Sequence, residues 1–367
     1  MTERTAQSDL LYSETEDDLR AAVRSLLTDR AGHQELLGRI ESDSPYVPGL
    51  WKALAGDMGA AGLLVPEKLG GQGASHREAA VVLEELGRAV TPAPYLTSAV
   101  VATETLLALA GESTPAAELL SGLASGRTVA VLAVPLSASP YAEPSERSTA
   151  STVTGVADAG AADVLLVSRA DGLYAVPAGE ATVEPQIPLD LTRPLARVTT
   201  EAGSGTLLAG PDAAAAAIRR GLLAGAGLLA SEQLGLAEWC LEETVRHTRE
   251  RHQFNRPVGS FQALKHRMAQ LWLDVVGARA AARAAADALA TGSPDAPLTV
   301  AVAQAYCSKV AVRAAEECVQ LHGGIGMTWE HPAHIALKRA KSDQLALGSA
   351  GRHQDAIAAL VDLPAPA

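Results

Sequence analysis

Apolar positions recur at helical spacing through residues 15–124, interrupted by glycine and proline. The stretch TEDDLRAAVRSLLTDRAG opens on an acidic first turn and closes on glycine, the start and stop signals of a helix. LWKALAGDMGAAGLLVPEKLGGQGAS runs a helix into a glycine-rich loop, and HREAAVVLEELGRAV resumes the helical period until TPAP stops it. A helical domain is therefore predicted over residues 1–124. Near residue 126 the pattern changes: RTVAVLAVPL, STVTGVA, ADVLLVSRA, GLYAVPA and LARVTTEA are short β-branched runs separated by Gly, Pro, Asp and Ser. These predict small antiparallel strands in a β-sandwich or barrel over residues 125–210, with no helix-length segment to build a βαβ unit. No Gly-x-Gly-x-x-Gly follows a strand, so a Rossmann nucleotide site has no support.

Over residues 211–367 the period is helical again and the helices are long. Leu264, Met268, Leu271, Val275, Ala278, Ala282, Ala285 and Leu289 step by fours and threes, which predicts one buried stripe. Segments near 212–252, 260–291 and 296–321, with a fourth from about 332, predict an antiparallel four-helix bundle whose small alanines allow close approach. The fold class is thus α+β and multidomain: helical domain, antiparallel β-domain, helical bundle.

Composition narrows the function classes. The 367 residues exceed what one core holds, 48% are apolar and only 3% aromatic, as in closely packed helices. A net charge of −12 disfavours nucleic-acid binding, so an anionic ligand needs a local basic cluster. No run reaches ~18 uninterrupted apolar residues, and the N-terminus lacks a signal pattern, so no membrane partner and a cytoplasmic location are expected. Cys240, Cys307 and Cys318 are odd in number, lie in apolar helical surroundings without Cys-x-x-Cys spacing, and read as buried small side chains. His331 and His334 stand at i, i+3, but Pro332 between them marks a helix start and no third ligand is near in sequence; no metal is expected.

Two stretches carry more specific chemistry. RERHQFNRPVGSFQALKHRMA resembles the Arg-x-x-Phe-Gly-x-Pro-x-x-x-Phe-Gln segment of the acyl-CoA dehydrogenase family, with Arg251, Phe254, Pro257, Phe261 and Gln262 in register. QLHGGIGMTWEHPAHIALKRAK is similar to that family's Gln-x-x-Gly-Gly-x-Gly segment, with Gln320, Gly323, Gly324 and Gly326 in place. With the domain order, the resemblance spans nearly the whole chain, strongest over 212–341 and weakest in the β-domain. It implies FAD as cofactor, an acyl thioester of CoA or a carrier as substrate, an electron-transfer flavoprotein as acceptor, and a homo- or hetero-oligomer, dimer or tetramer. It also implies that Arg251, Phe254, Gln262, Gln320, Gly323 and Gly324 contact the dinucleotide half of a neighbouring subunit's FAD, with Ser349 a further cofactor contact. Those residue types suit the task, since a pyrophosphate needs a guanidinium and backbone that can approach closely. Asn255 replaces the family's usual glycine, and asparagine tolerates a left-handed backbone.

Two departures bear on catalysis. The family's Thr-Glu-Pro-x-Ala-Gly-Ser-Asp stretch is here AVLAVPLSASPYAEP, which keeps only Ser137 and Ser139. The family's catalytic glutamate, which precedes Gly-Thr, is Leu347 before Gly348 and Ser349. Leucine accepts no proton, although a backbone N–H at that position is able to meet a thioester carbonyl. Some members place the base at the end of the long bundle helix, here Thr291, which is no base either; Asp287 one turn earlier is the remaining acid, and Arg283 at i−4 offers it an ion pair. Three readings stand: a base-lacking subunit that shares FAD sites with a partner, a homomeric dehydrogenase using Asp287, or the same fold turned to flavin oxygenation or scaffolding. Arg246, Arg249, Arg256, Lys265 and Arg267 crowd the bundle's start and are expected mainly as a solvated helix face, with some available to CoA phosphates.

Overall fold

The computed structural model describes residues 9–42, 44–142 and 151–364, so the end of the Ser137/Ser139 stretch, residues 143–144, lies outside it. The N-terminal domain holds α1 (Glu14–Arg30), α2 (His33–Arg39), α3 (His76–Ala89), α4 (Thr103–Leu107) and α5 (Thr114–Ala124), with π-helical turns at Lys52–Asp57 and Tyr95–Ala102. Capping boxes start α1 and α3: Ser13 with Glu16, and Ser75 with Glu78. Both helices bury acids as well as leucines. Arg20 reaches Glu84 at 2.7 Å, Arg24 reaches Glu85 at 2.6 Å, and Glu16 is bracketed by Arg77 at 3.1 Å and Arg283 at 2.6 Å.

Glu16 makes this docking acid-sensitive. Burial alone would raise its carboxyl, but hydrogen bonds from Arg77 and Arg283 win and lower it from 4.5 to about 2. A depressed folded pKa contributes stability that is complete above pH 4.5 and lost as pH falls toward 2. Urea unfolding of the unaltered chain and Glu16→Gln should therefore differ most near neutrality and converge as pH drops through that window; a difference independent of pH would contradict it.

The middle domain packs two sheets face to face. Its strands are β1 (Ala130–Leu132), β2 (Ser151–Ala157), β3 (Val164–Arg169), β4 (Gly172–Pro177), β5 (Ala181–Gln186), β6 (Leu195–Thr200) and β7 (Thr206–Ala209). The orders are β1-β3-β4-β7 and β2-β6-β5, with Val131, Val156, Leu165, Val167, Val176 and Val198 between the sheets. A sandwich is thus found, with one correction to the antiparallel expectation: β1 and β3 pair parallel, Ala130 opposite Val164. The chain leaves β1 for the other sheet as β2 and returns beside β1 as β3. Such a crossover preserves strand direction.

The bundle comprises α6 (Pro211–Glu250), α7 (Gln262–Ala290), α8 (Ala296–His322) and α9 (Ala333–Asp343), followed by α10 (Ala350–Leu360). α6 is long and apolar enough to cross a membrane, yet 67% of its most apolar window is buried inside the protein, as in a core helix. It contacts α3 backbone to backbone. A Cβ on Gly235 would stand 1.8 Å from the Glu84 carbonyl oxygen, and one on Gly87 would stand 2.0 Å from that of Glu232. Of the predicted α7 stripe, Leu271, Val275, Ala278, Ala282 and Ala285 are buried, whereas Leu264, Met268 and Leu289 are only partly covered. The first turns of α7 overhang the bundle. Trp272 and Leu273, each 56% exposed, face outward there.

Candidate functional site

The link between α9 and α10 brings Leu347 to the junction of all three domains. Leu347 is 4% exposed and left-handed (φ 53°), and a Cβ on the next residue, Gly348, would lie 3.0 Å from His353 Nε2 and 3.2 Å from Ser139 Oγ. Leu347 shares the wall of a hollow of about 30 Å³ with Leu96, Thr97, Val101, Leu132, Val134, Leu136 and Leu222. That is room for a water or two. The Leu347 N–H, which the sequence left available to a thioester carbonyl, donates instead to the Leu136 carbonyl at 2.7 Å. Its own carbonyl lies 3.1 Å from His353 Nε2. Ser349 caps α10 by accepting from Arg352 N–H, and Ser139 Oγ accepts from Tyr141 N–H, each hydroxyl keeping its own O–H to donate; Ser137 is exposed.

No carboxylate lines the hollow. Asp158, next in sequence to the wall residue Ala157, has one oxygen bonded by Tyr46 at 2.7 Å and the other by Thr97 at 2.8 Å. Burial raises its pKa. Asp287 lies elsewhere: it pairs with Arg77 at 3.0 Å, on the face where α7 meets the N-terminal domain. The Arg283–Asp287 pair expected from i, i+4 spacing is replaced, because Arg283 turns to Glu16. Thr291 ends α7, its hydroxyl donating to the Asp287 carbonyl at 2.9 Å. Neither residue borders the hollow.

The second group of sequence candidates converges on the outside of the bundle. Arg251 ends α6, and a hairpin follows, β8 (His252–Gln253) paired with β9 (Arg256–Pro257). Its two turn residues, Phe254 (φ 51°) and Asn255 (φ 59°), are both left-handed, the type I′ requirement. Asparagine suits this, as expected; phenylalanine does not, and holding it there costs about 1–2 kcal/mol. The strain projects the Phe254 ring outward, 85% exposed. Gln262 and Gln320 are exposed, and Gly323 (φ 64°, ψ −138°) turns the chain at the end of α8. Nothing lies within 4 Å of a Cβ built on Gly323 or Gly324. His247 of α6 and His322 of α8 stack at 4.2 Å and bring these segments together. The Arg251 guanidinium makes no hydrogen bond or ion pair among the described residues, and its surroundings offer open backbone. This is a fit for a phosphate that arrives from outside the chain.

The neighbouring cations are mostly spent locally. Arg246 pairs with Glu243 and Glu250, Arg267 with Glu317 at 2.8 Å, and Arg256 lies over Phe261 at 3.8 Å. Sequence reasoning missed a buried network that fixes the hollow's surroundings. Arg339 bonds Asp190 at 2.7 Å, Glu232 at 2.6 Å and Thr192 Oγ1 at 2.6 Å, while Arg193 contacts Glu232 and stands 3.3 Å from Asp343. Asp343 has no hydrogen-bond partner for either oxygen among the described residues, and burial together with the Glu232 charge pushes its carboxyl well up. The only signal was charge inside apolar helix, as at Glu232 in LLASEQLGLAEW.

Residues 13–127 match the acyl-CoA dehydrogenase N-terminal domain and residues 215–361 the C-terminal domain of that family. The chain is 36% identical over 337 residues to the acyl-CoA dehydrogenase IpdE2 of Mycolicibacterium smegmatis, covering 92% of this chain and 95% of that one. Among solved structures it is similar to the ChsE4–ChsE5 complex of Mycobacterium tuberculosis (TM-score 0.83, 26% identity, 98% of this chain and 100% of that chain). It is also similar to the Tcur3481–Tcur3483 steroid ACAD (TM-score 0.82, 28% identity, 95% and 98%).

Proposed function

Since this chain belongs to the acyl-CoA dehydrogenase family of FAD-dependent oxidoreductases, we propose that it is the base-lacking member of a two-chain enzyme that introduces an α,β double bond into an acyl-CoA. The observation that carries this reading is a contrast. The chain's own hollow beside Leu347 measures only about 30 Å³, while Arg251, Phe254, Gln262, Gln320, Gly323 and Gly324 stand exposed on the bundle's exterior. A flavin ring and thioester do not fit the hollow. A neighbour's dinucleotide fits the exterior group: Arg251 holds the pyrophosphate, the Gly323–Gly324 backbone approaches it, and Phe254 packs against it. FAD held there would supply the hydride acceptor for the substrate's β-carbon, and a carboxylate of the partner chain would take the α-proton that Leu347 cannot.

The exposed Trp272, Leu273, Val302 and Tyr306 on α7 and α8 support an obligate partner, because isolated chains seldom leave such side chains in water together. Two structural relatives are named as two-chain assemblies, one of them a steroid ACAD, which supports a two-chain enzyme and a bulky acyl group. The homomeric alternative has less support, since Arg77 engages Asp287 away from the hollow.

The test is reconstitution. Expressed alone, the chain should purify colourless; co-purified with a base-bearing family member of the same genome, it should carry one FAD per two chains and reduce ferrocenium with an acyl-CoA. Arg251→Gln in this chain should leave the pair intact on size exclusion and weaken FAD retention roughly 10- to 100-fold, the range for losing charge-assisted hydrogen bonds. One tightly held FAD per isolated chain, or unchanged flavin affinity in the variant, would overturn the reading.

A further inference from the structure

Where the ends of α6 and α8 meet the loop before α9, two histidines close on one carboxylate. Glu243 Oε1 lies 3.6 Å from His322 Nε2 and 3.7 Å from His331 Nε2, and the three atoms lie within 4.8 Å of one another. We propose that Glu243, His322 and His331 bind one divalent ion of the zinc class, a site independent of the flavin reading above.

The strongest indication is His322. Its side chain is 0% exposed and its Nε2 has no hydrogen-bond partner among the described residues, an arrangement buried polar atoms rarely adopt without a ligand. Its Nδ1 lies 2.6 Å from the Cys318 carbonyl. A carbonyl only accepts, so Nδ1 carries a proton; Nε2 faces the Glu243 carboxylate and His331, and a bound ion would take the place of any proton it carries. Metal-bound histidines are oriented in this way, by a backbone acceptor behind the ring.

Zinc–ligand bonds of about 2.0–2.1 Å in a tetrahedron place ligand atoms about 3.3 Å apart, so small side-chain movements close the present spacing. Two imidazoles and one carboxylate select zinc, cobalt or nickel over calcium or magnesium, which require mainly oxygen. Two local contacts must yield. Arg246 shares the Glu243 carboxylate, but it is 55% exposed and already reaches Glu250 at 2.7 Å. His331 Nδ1 accepts from Ala333 N–H at 3.2 Å; ligation through Nε2 puts the proton on Nδ1, so this hydrogen bond is lost. His334, the spacing partner of His331 in the sequence, is uninvolved: it stacks on Trp329 at 4.4 Å. The sequence expectation of no metal did not weigh this group, because two of the three residues come from other helices.

Three protein ligands leave one position for water or a partner's side chain. His322 and His331 also bracket the loop that carries Gly323 and Gly324, so the ion would tie that loop to α6.

The experiment uses untagged full-length chain stripped with a chelator and titrated with Co²⁺, then Zn²⁺. One equivalent of Co²⁺ should bind with the intense visible bands of a tetrahedral site, and Zn²⁺ should bleach them. Glu243→Gln and His331→Ala, both at partly exposed positions and checked for folding by circular dichroism, should each weaken binding roughly 100-fold or more, while His334→Ala should change nothing. Substoichiometric binding, or folded His331→Ala that binds as the unaltered chain does, would overturn the proposal.

Discussion

Replacing Leu347 with glutamate, which restores the family's base in sequence, is expected to destabilise the lone chain by roughly 2–4 kcal/mol and to confer no dehydrogenase activity. The new carboxyl would sit in a 30 Å³ hollow walled by leucine and valine, with no cation and no hydrogen-bond donor beyond Thr97, whose hydroxyl already serves Asp158. Such a group stays protonated, and a neutral acid with no substrate beside it abstracts nothing. The backbone N–H would remain on Leu136. Leu347→Met, similar in volume, should cost less than about 1.5 kcal/mol and separates the effect of polarity from that of shape. Urea unfolding and a ferrocenium assay read both outcomes. A stable Leu347→Glu chain that turns over acyl-CoA without a partner would mean that the hollow opens, and the homomeric reading would replace the one argued above.

Arg339→Met should cost more, about 3–5 kcal/mol, the range for removing one member of a buried ionic set. Arg339 is 3% exposed and joins three parts of the chain: Asp190 and Thr192 before β6, Glu232 in the middle of α6, and its own helix α9. Without it Asp190 keeps only its local Thr192 contacts, and Glu232 depends on Arg193, which Asp343 also approaches at 3.3 Å. The β-domain should then loosen from the bundle before either unfolds, which would appear as a separate early phase in urea. Arg256→Met, on the exposed hairpin, should stay within about 0.5 kcal/mol. A variant of Arg339 as stable as that control would show that the set contributes no net stability.

Much of the architecture was legible from period alone. α6, α7 and α8 end within about two residues of their expected limits, because proline, glycine and the apolar step mark helix ends locally. The parallel β1–β3 pair was not legible: strand direction depends on which sheet the chain visits between two runs, and no residue type encodes that. The site divides in the same way. Arg251, Phe254, Gln320 and the paired glycines were visible through their local motifs. The partners of Asp287 and Arg283 were not, since Arg77 and Glu16 lie more than 200 residues away and win over the i, i+4 neighbour by closing buried gaps between domains. Leu347 announced the missing base, but that its amide is engaged by Leu136 required the fold.

The left-handed turn at Phe254 and Asn255 has a thermodynamic consequence for assembly. A two-residue reversal of fixed hand leaves its tip few conformations, and the Phe261 ring, 6.0 Å away in an edge contact, restricts the Phe254 ring further. The cost of ordering this aromatic is therefore met when the monomer folds rather than when the subunits join. In the pair proposed above, preorganisation of that kind would show mainly as slow dissociation of whatever docks on this hairpin of six residues, His252 to Pro257.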